Sequence, residues 1–276
     1  MAKRTKIPEK IKSYLFEEAG MKCANPGCNN YRTHIHHIKE WSVYQTHDSE
    51  HMIAVCPSCH DEIHYGKLTI DDETVYLWKN IKREKSNRDH LYIEPSYTSK
   101  LLLGSISVTG DNGVKVFELT NNTKLTYRIE DEDIFLMNLS ISNQNGKEVL
   151  KVIENHVKYI VDDKINFERR PGRFKITTNR IIDFIPIWSM PIIHKMQPNY
   201  KIVDGVLTLT DVEVLKPGLV KVEGLWARND VVIIITNDSL NFIKPGYSKP
   251  LSLIGEGENS VLKWSGKIDS SMFRFN

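Results

Sequence analysis

The chain has 276 residues, 40% of them hydrophobic and 26% charged, an ordinary globular composition with room for two domains. Its formal net charge of +2 disfavours a protein that coats nucleic acid by bulk charge, so any such affinity must come from local patches. No stretch approaches the ~20 apolar residues of a membrane helix, so no membrane partner is expected.

The N-terminal MAKRTKIPEK carries positive charge with no apolar run after it, so it does not read as a secretory leader and the expected location is cytoplasmic. Residues 8–19 predict a helix. Pro8 suits its first turn, Ile11, Tyr14, Leu15 and Ala19 form one apolar stripe, and Gly20 ends it.

The segment from Cys23 to His64 holds all four cysteines and seven of the ten histidines. The cysteines fall in two short pairs, Cys23–Cys28 and Cys56–Cys59, the way two knuckles build a tetrahedral structural zinc site. The histidines suggest a second site. Thr33 to Ile38 alternates like a strand, and Met52 to Val55 is a short apolar run able to pair with it. Pro57 can open a helix reaching about Tyr65. His60 and His64, four apart, then share one face, while Cys59 lies about 100° round and is free to face zinc. His36 from the strand completes a three-histidine set with open positions, as a catalytic metal requires. His37 has no structural job. His34, on the side of His36, reads as a second-layer or substrate contact or as a plain surface histidine. His47 sits in a polar loop and is given no role.

These residues resemble the HNH, or ββα-metal, endonucleases in their zinc-stapled four-cysteine form. The likeness runs over about residues 8–66: Cys23, Cys28, His36-His37-Ile38, His51-Met52-Ile53-Ala54-Val55-Cys56-Pro57-Ser58-Cys59-His60 and His64. It implies that His36, His60 and His64 hold one divalent metal, that His37 is the general base, and that DNA is cut to 5′-phosphate and 3′-hydroxyl ends. His51 stands where the family usually has asparagine. Histidine also donates and accepts, so His51 is expected to hold His37 in place. An all-histidine set suits Mn²⁺, Ni²⁺, Co²⁺ or Zn²⁺, and Mg²⁺ stays open because substrate phosphate can supply ligands.

Residues 72–86 predict another helix, with Val75, Trp78 and Ile81 on its apolar face. Lys79, Lys82, Arg83, Lys85 and Arg88 either touch DNA backbone or form a solvated helix end. Residues 87–99 read as an interdomain linker. From Lys100 to Asn276 short runs of Val, Ile, Phe and Leu are broken by turn signals such as Asn145-Gly146, Asp162-Asp163 and Asp204-Gly205. That pattern predicts an antiparallel all-β domain, a sandwich or barrel, with Val231–Thr236 as its most buried strand. Residues 164–180 hold Lys164, Arg169, Arg170, Arg173, Lys175 and Arg180 against Glu168, a local +5 (6 − 1). This hairpin either grips phosphates or answers the acidic run Glu130–Asp133 within the domain.

The sequence thus predicts an α+β protein: a nuclease domain at 1–86, a linker at 87–99 and a recognition or regulatory β domain at 100–276. The expected function is metal-dependent DNA cleavage of restriction or phage-defence type. One rival is a nuclease gated by a small ligand or phage product sensed by the β domain. The other is an inactive zinc module that binds DNA or protein. A homodimer is expected if both strands are cut, since one ββα site cuts one strand.

Overall fold

Pro8, with φ fixed near its ring value, precedes helix α1 (Glu9–Glu18), and the helix ends where the sequence changes hand. Gly20 and Met21 have φ of 71° and 62°, and their amides reach back to Glu17 and Phe16 in a Schellman closure. Leu15 and Ala19 are buried as the stripe predicts. Tyr14 is not: it is 52% exposed and donates to Glu18, and Phe16 packs on the core instead. The computed structural model that shows this describes residues 6–68, 70–83, 88–160, 162, 164–196, 202–267 and 269–275. The leader reading of the first five residues, Lys85 and the Asp163 half of one turn signal lie outside them.

Two short strands follow, β1 (His34–His37) and β2 (Met52–Val55), antiparallel with His36 opposite Ile53 and His37 opposite Met52. Between them come a one-turn helix, α2 (Trp41–Tyr44), and a 3-10 turn at Ser49–His51. Helix α3 (Pro57–Tyr65) starts on Pro57, with the Cys56 sulfur accepting from the Cys59 amide. Helix α4 (Asp72–Lys79) is capped by Asp71, whose carboxylate accepts from Thr74 N–H. It is shorter than expected, ending at Asn80. Cys23, Ile53, Val55, Cys56, Val75 and Trp78 share one small core.

The chain divides into two units, Met1–Ser86 and Asn87–Asn276. The second unit is mostly strand. One antiparallel sheet runs in the order Arg88–His90, His156–Tyr159, Glu148–Ile153, Ile134–Ser142, Thr123–Glu130, Gly113–Thr120. The main path of the other begins at Ile165–Arg170 and Arg173–Thr178 and passes through Val206–Lys216, Leu219–Arg228 and Val231–Ile235 to Leu251–Leu253. Val231–Ile235 is wholly buried, as its unbroken apolar run predicts. Turn glycines 146, 205, 218 and 246 all have positive φ, the conformation that glycine adopts without penalty. The unit is not purely antiparallel or purely β. Lys100–Leu103 and Gly257–Trp264 pair in parallel with their neighbours, and helices Ile181–Phe184 and Met190–Lys195 interrupt the strands. With strand at about 43% of the chain, the class is mixed helix and strand.

The expected linker needs correction. Arg88–His90 is an edge strand paired with His156–Tyr159, the Leu91 amide bonds Asn155, and Leu91 and Ile93 are buried in the β core. The strand itself is three polar residues, Arg88-Asp89-His90, which composition alone reads as a linker.

Candidate metal centre and active site

The Sγ atoms of Cys23, Cys28, Cys56 and Cys59 all lie within 4.8 Å of one another. Four sulfurs ~2.3 Å from a zinc stand ~3.8 Å apart, and Cys28 and Cys56 are 3.7 Å apart, far beyond a disulfide. The donors around them suit thiolates. The Cys56 amide donates to Cys23 Sγ at 3.3 Å, the Cys59 amide to Cys56 Sγ at 3.4 Å, and Asn25 Nδ2 to Cys59 Sγ at 3.4 Å. Burial pushes the Cys23 thiol up to about 11 and raises Cys59 too. Burial also acts on Cys56, but bonds from the Cys59 amide and neighbouring thiols outweigh it and hold that thiol low. Buried sulfurs raised in this way become thiolates when a cation compensates their charge, so the set fits a structural metal.

The second cluster lies on the other face of α3. One nitrogen from each of His36, His60 and His64 falls within 4.8 Å of the others, the rings meeting edge-on at centroid distances of 4.7–5.1 Å. His36 is buried, and that burial, aided by His60 and His64, pushes it down to about 4. His60 is lowered by burial and then by His64. Neutral imidazoles with lone pairs turned together are what a divalent ion needs. The His34 ring stands edge-on to His60 at 4.9 Å. His34, His36, His37, His60 and His64 line a cleft of about 460 Å³ together with Ile35, Glu40, Trp41 and Ser42.

His51, expected to hold His37 and its loop, bonds the loop rather than the His37 ring. Its Nε2 is 2.9 Å from Lys39 Nζ and its Nδ1 2.8 Å from the Tyr76 hydroxyl. Lysine can only donate, so His51 accepts at Nε2 and donates from Nδ1. It ties the loop after β1 to α4, while its carbonyl accepts from Ile38 N–H at 2.9 Å. His37 does meet His47, with His37 Nε2 and His47 Nδ1 3.2 Å apart. Sequence reasoning gave His47, Trp41, Lys39 and Tyr76 no role. A second histidine in the loop joining the two strands was the signal at hand.

The cations proposed for DNA are largely engaged inside their own units. Lys79 donates to Glu18 at 2.6 Å, its side chain 8% exposed. Arg83 donates to the carbonyls of Trp78, Ile81 and Ala24, clipping the end of α4 to the zinc segment. Lys82 is exposed. In the β unit Arg169 pairs with Asp89 at 3.1 Å, Arg170 with Glu213, and Arg173 with both oxygens of Asp211 at 2.8 and 2.6 Å. The hairpin thus answers acids on the neighbouring strand and the edge strand, while Glu130 pairs with Arg128. Arg169, Arg170, Arg173, Lys175 and Glu168 still line a pocket of about 280 Å³.

No helix among the described residues is long and apolar enough to cross a membrane. No curated protein and no solved structure matches the chain. The family model for HNH endonucleases matches residues 21–66, the segment that carries both clusters and the ββα unit between them. The chain therefore contains an HNH endonuclease domain at residues 21–66, with four cysteines placed as in the zinc-binding form of that module.

Proposed function

We propose that the protein is a metal-dependent DNA endonuclease in which His37 is the general base and His36, His60 and His64 hold the catalytic ion. The observation that carries this reading is the convergence of those three imidazoles beside His37 on one cleft wall. His36, His60 and His64 would hold a divalent ion, which would supply positive charge to offset that on the scissile phosphate and the leaving oxygen. His37 takes a proton from the attacking water, whose oxygen bonds to phosphorus. The bond to the 3′ oxygen breaks, and that oxygen is protonated from solvent. His34 borders the cleft where a phosphate oxygen or sugar would lie. Zinc at the four cysteines staples β2 and α3, so the two halves of the site keep their spacing.

Residues 1–86 act as the nuclease domain, and the β unit acts in target or trigger recognition, as in restriction or phage-defence enzymes. One core is shared by residues of its two sheets, which supports a β-sandwich. Lys82 and Lys175 are the basic candidates best placed for phosphate, since the arginines are already paired.

The test is cleavage of supercoiled plasmid by purified protein with Mg²⁺, Mn²⁺ or Ni²⁺, beside His37→Ala and an EDTA control. Metal-dependent cutting that is lost in His37→Ala supports the reading. Equal cutting by His37→Ala sinks the base assignment, and no cutting under any metal favours the inactive zinc module. Linear product ahead of nicked circle supports a dimer with two sites.

A further inference from the structure

A buried imidazole that is to accept a proton must have its tautomer fixed at its other nitrogen. His37 is 8% exposed, and the partner expected for it, His51, bonds Lys39 and Tyr76 instead. His47 does come within hydrogen-bond distance of His37, at 3.2 Å.

Local structure builds that contact. Helix α2 presents Trp41. Gln45, with φ of 48°, takes the left-handed conformation and reverses the chain. His47 is thereby laid back against the helix, its ring stacked on the Trp41 indole at 4.4 Å with planes 23° apart. Trp41 also meets the His37 ring edge-on at 5.7 Å. Asp48 anchors the next turn by accepting from Glu50 N–H at 3.0 Å. The three rings form a closed cluster, with His37 and Trp41 on the cleft wall and His47 outside its lining.

We propose that His47 is the positioning residue of the base, accepting at its Nδ1 the hydrogen bond donated by Nε2–H of His37. The tautomers follow from this contact. If His37 donates from Nε2, its lone pair is on Nδ1, and Nδ1 takes the proton from water. If His47 donated instead, the His37 lone pair would be spent on that bond and its Nδ1 would carry hydrogen, leaving no acceptor. The productive pair is therefore His37 protonated at Nε2 and His47 protonated at its own Nε2. When Nδ1 of His37 receives the proton, the bond to His47 becomes charge-assisted and stabilises the imidazolium as it forms. The proton returns to solvent after product leaves. Trp41 keeps the His47 ring in plane for this bond.

This rests on His37 being the base, and the experiment separates the two claims. Full-length, zinc-loaded protein labelled with ¹⁵N-histidine gives the ring tautomers from long-range ¹H–¹⁵N spectra, with His37 assigned by its loss in His37→Asn. The expected spectrum has His37 as Nε2–H. An Nδ1–H form overturns the proposal whatever the activity, and it needs no variant of His47 to fold. Plasmid nicking with Mn²⁺ is then measured for His47→Ala, His47→Gln and His37→Ala. Removing a partner of this kind is expected to lower kcat about 10- to 100-fold, with KM unchanged. Gln, whose side-chain oxygen still accepts from Nε2–H, is expected to restore most of kcat. Wild-type kcat in His47→Ala beside an inactive His37→Ala overturns the positioning role and leaves the base reading standing. A rise in KM alone means that His47 touches substrate, which also overturns the proposal. Wild-type cutting by His37→Ala removes both.

Discussion

Lys82 and Arg83 are adjacent cations that look alike in the sequence, yet only Arg83 is turned inward, onto three backbone carbonyls. Removing a donor from partly buried acceptors costs about 1–3 kcal/mol. Arg83→Ala is therefore expected to destabilise the zinc-bearing unit by that amount, whereas Lys82→Ala stays within about 0.5 kcal/mol, as surface changes do. Urea unfolding followed by tryptophan fluorescence checks this. Equal midpoints for the two variants, with DNA affinity lost in Arg83→Ala alone, would make Arg83 a phosphate contact after all. Cys59 and His60 make the same point about neighbours. They are adjacent on α3 but belong to different clusters. His60→Ala should abolish cutting while one zinc per chain remains, and Cys59→Ser should lose that zinc. Metal content by mass spectrometry of the purified variants decides it. Loss of zinc from His60→Ala would show that one site, not two, governs the fold of the module.

Elements with a strong period were legible, and those set by tertiary contact were not. Alternation placed β1, the four-residue spacing of His60 and His64 put both rings on one face of α3, and Pro57 marked that helix's start, while the Asp71 cap of α4 was not read. The loop 39–51 was opaque because its form depends on a left-handed Gln45 and on rings meeting across ten residues, which no local pattern encodes. The strand Arg88–His90 was missed for a similar reason, since three residues are too few to show alternation. That strand carries a pH dependence. His90 faces His156 across the pair, centroids 4.7 Å apart. Burial, then the neighbouring His156, lowers the His90 pKa, while Asp89 opposes the shift. A lowered folded value means that the unfolded chain takes up the proton first. Stability is unaffected well above the ordinary histidine value of ~6.5 and falls as pH drops through it, until the folded ring also protonates. The residue as a whole keeps much of its surface in water, so the slope is small. His90→Gln should flatten the fall in melting temperature between about pH 7 and 5. An unchanged slope would assign the acid sensitivity to other groups.

At the scale of the whole molecule, the two cores share no residue: one surrounds Cys23, Ile53 and Cys56, the other runs through the β unit. They also differ in what sustains them. The small core includes three of the cysteines themselves, so without a cation four sulfurs crowd together with little apolar burial to offset the entropy of ordering the chain. The β core is many times larger and contains no cysteine. Metal removal should therefore act on one unit only. Chelation with a strong zinc ligand is expected to erase the amide signals of β1, β2 and α3 in a ¹H–¹⁵N spectrum. The dispersed signals of strands such as Val231–Ile235 should remain, and a separately expressed 87–276 fragment should melt at the same temperature with or without chelator. Cutting should vanish in step with the first set of signals and return when zinc and the catalytic ion are both restored. If chelation collapsed both sets together, the β unit would depend on the zinc module for its own fold, and its treatment as a separate recognition domain would fail.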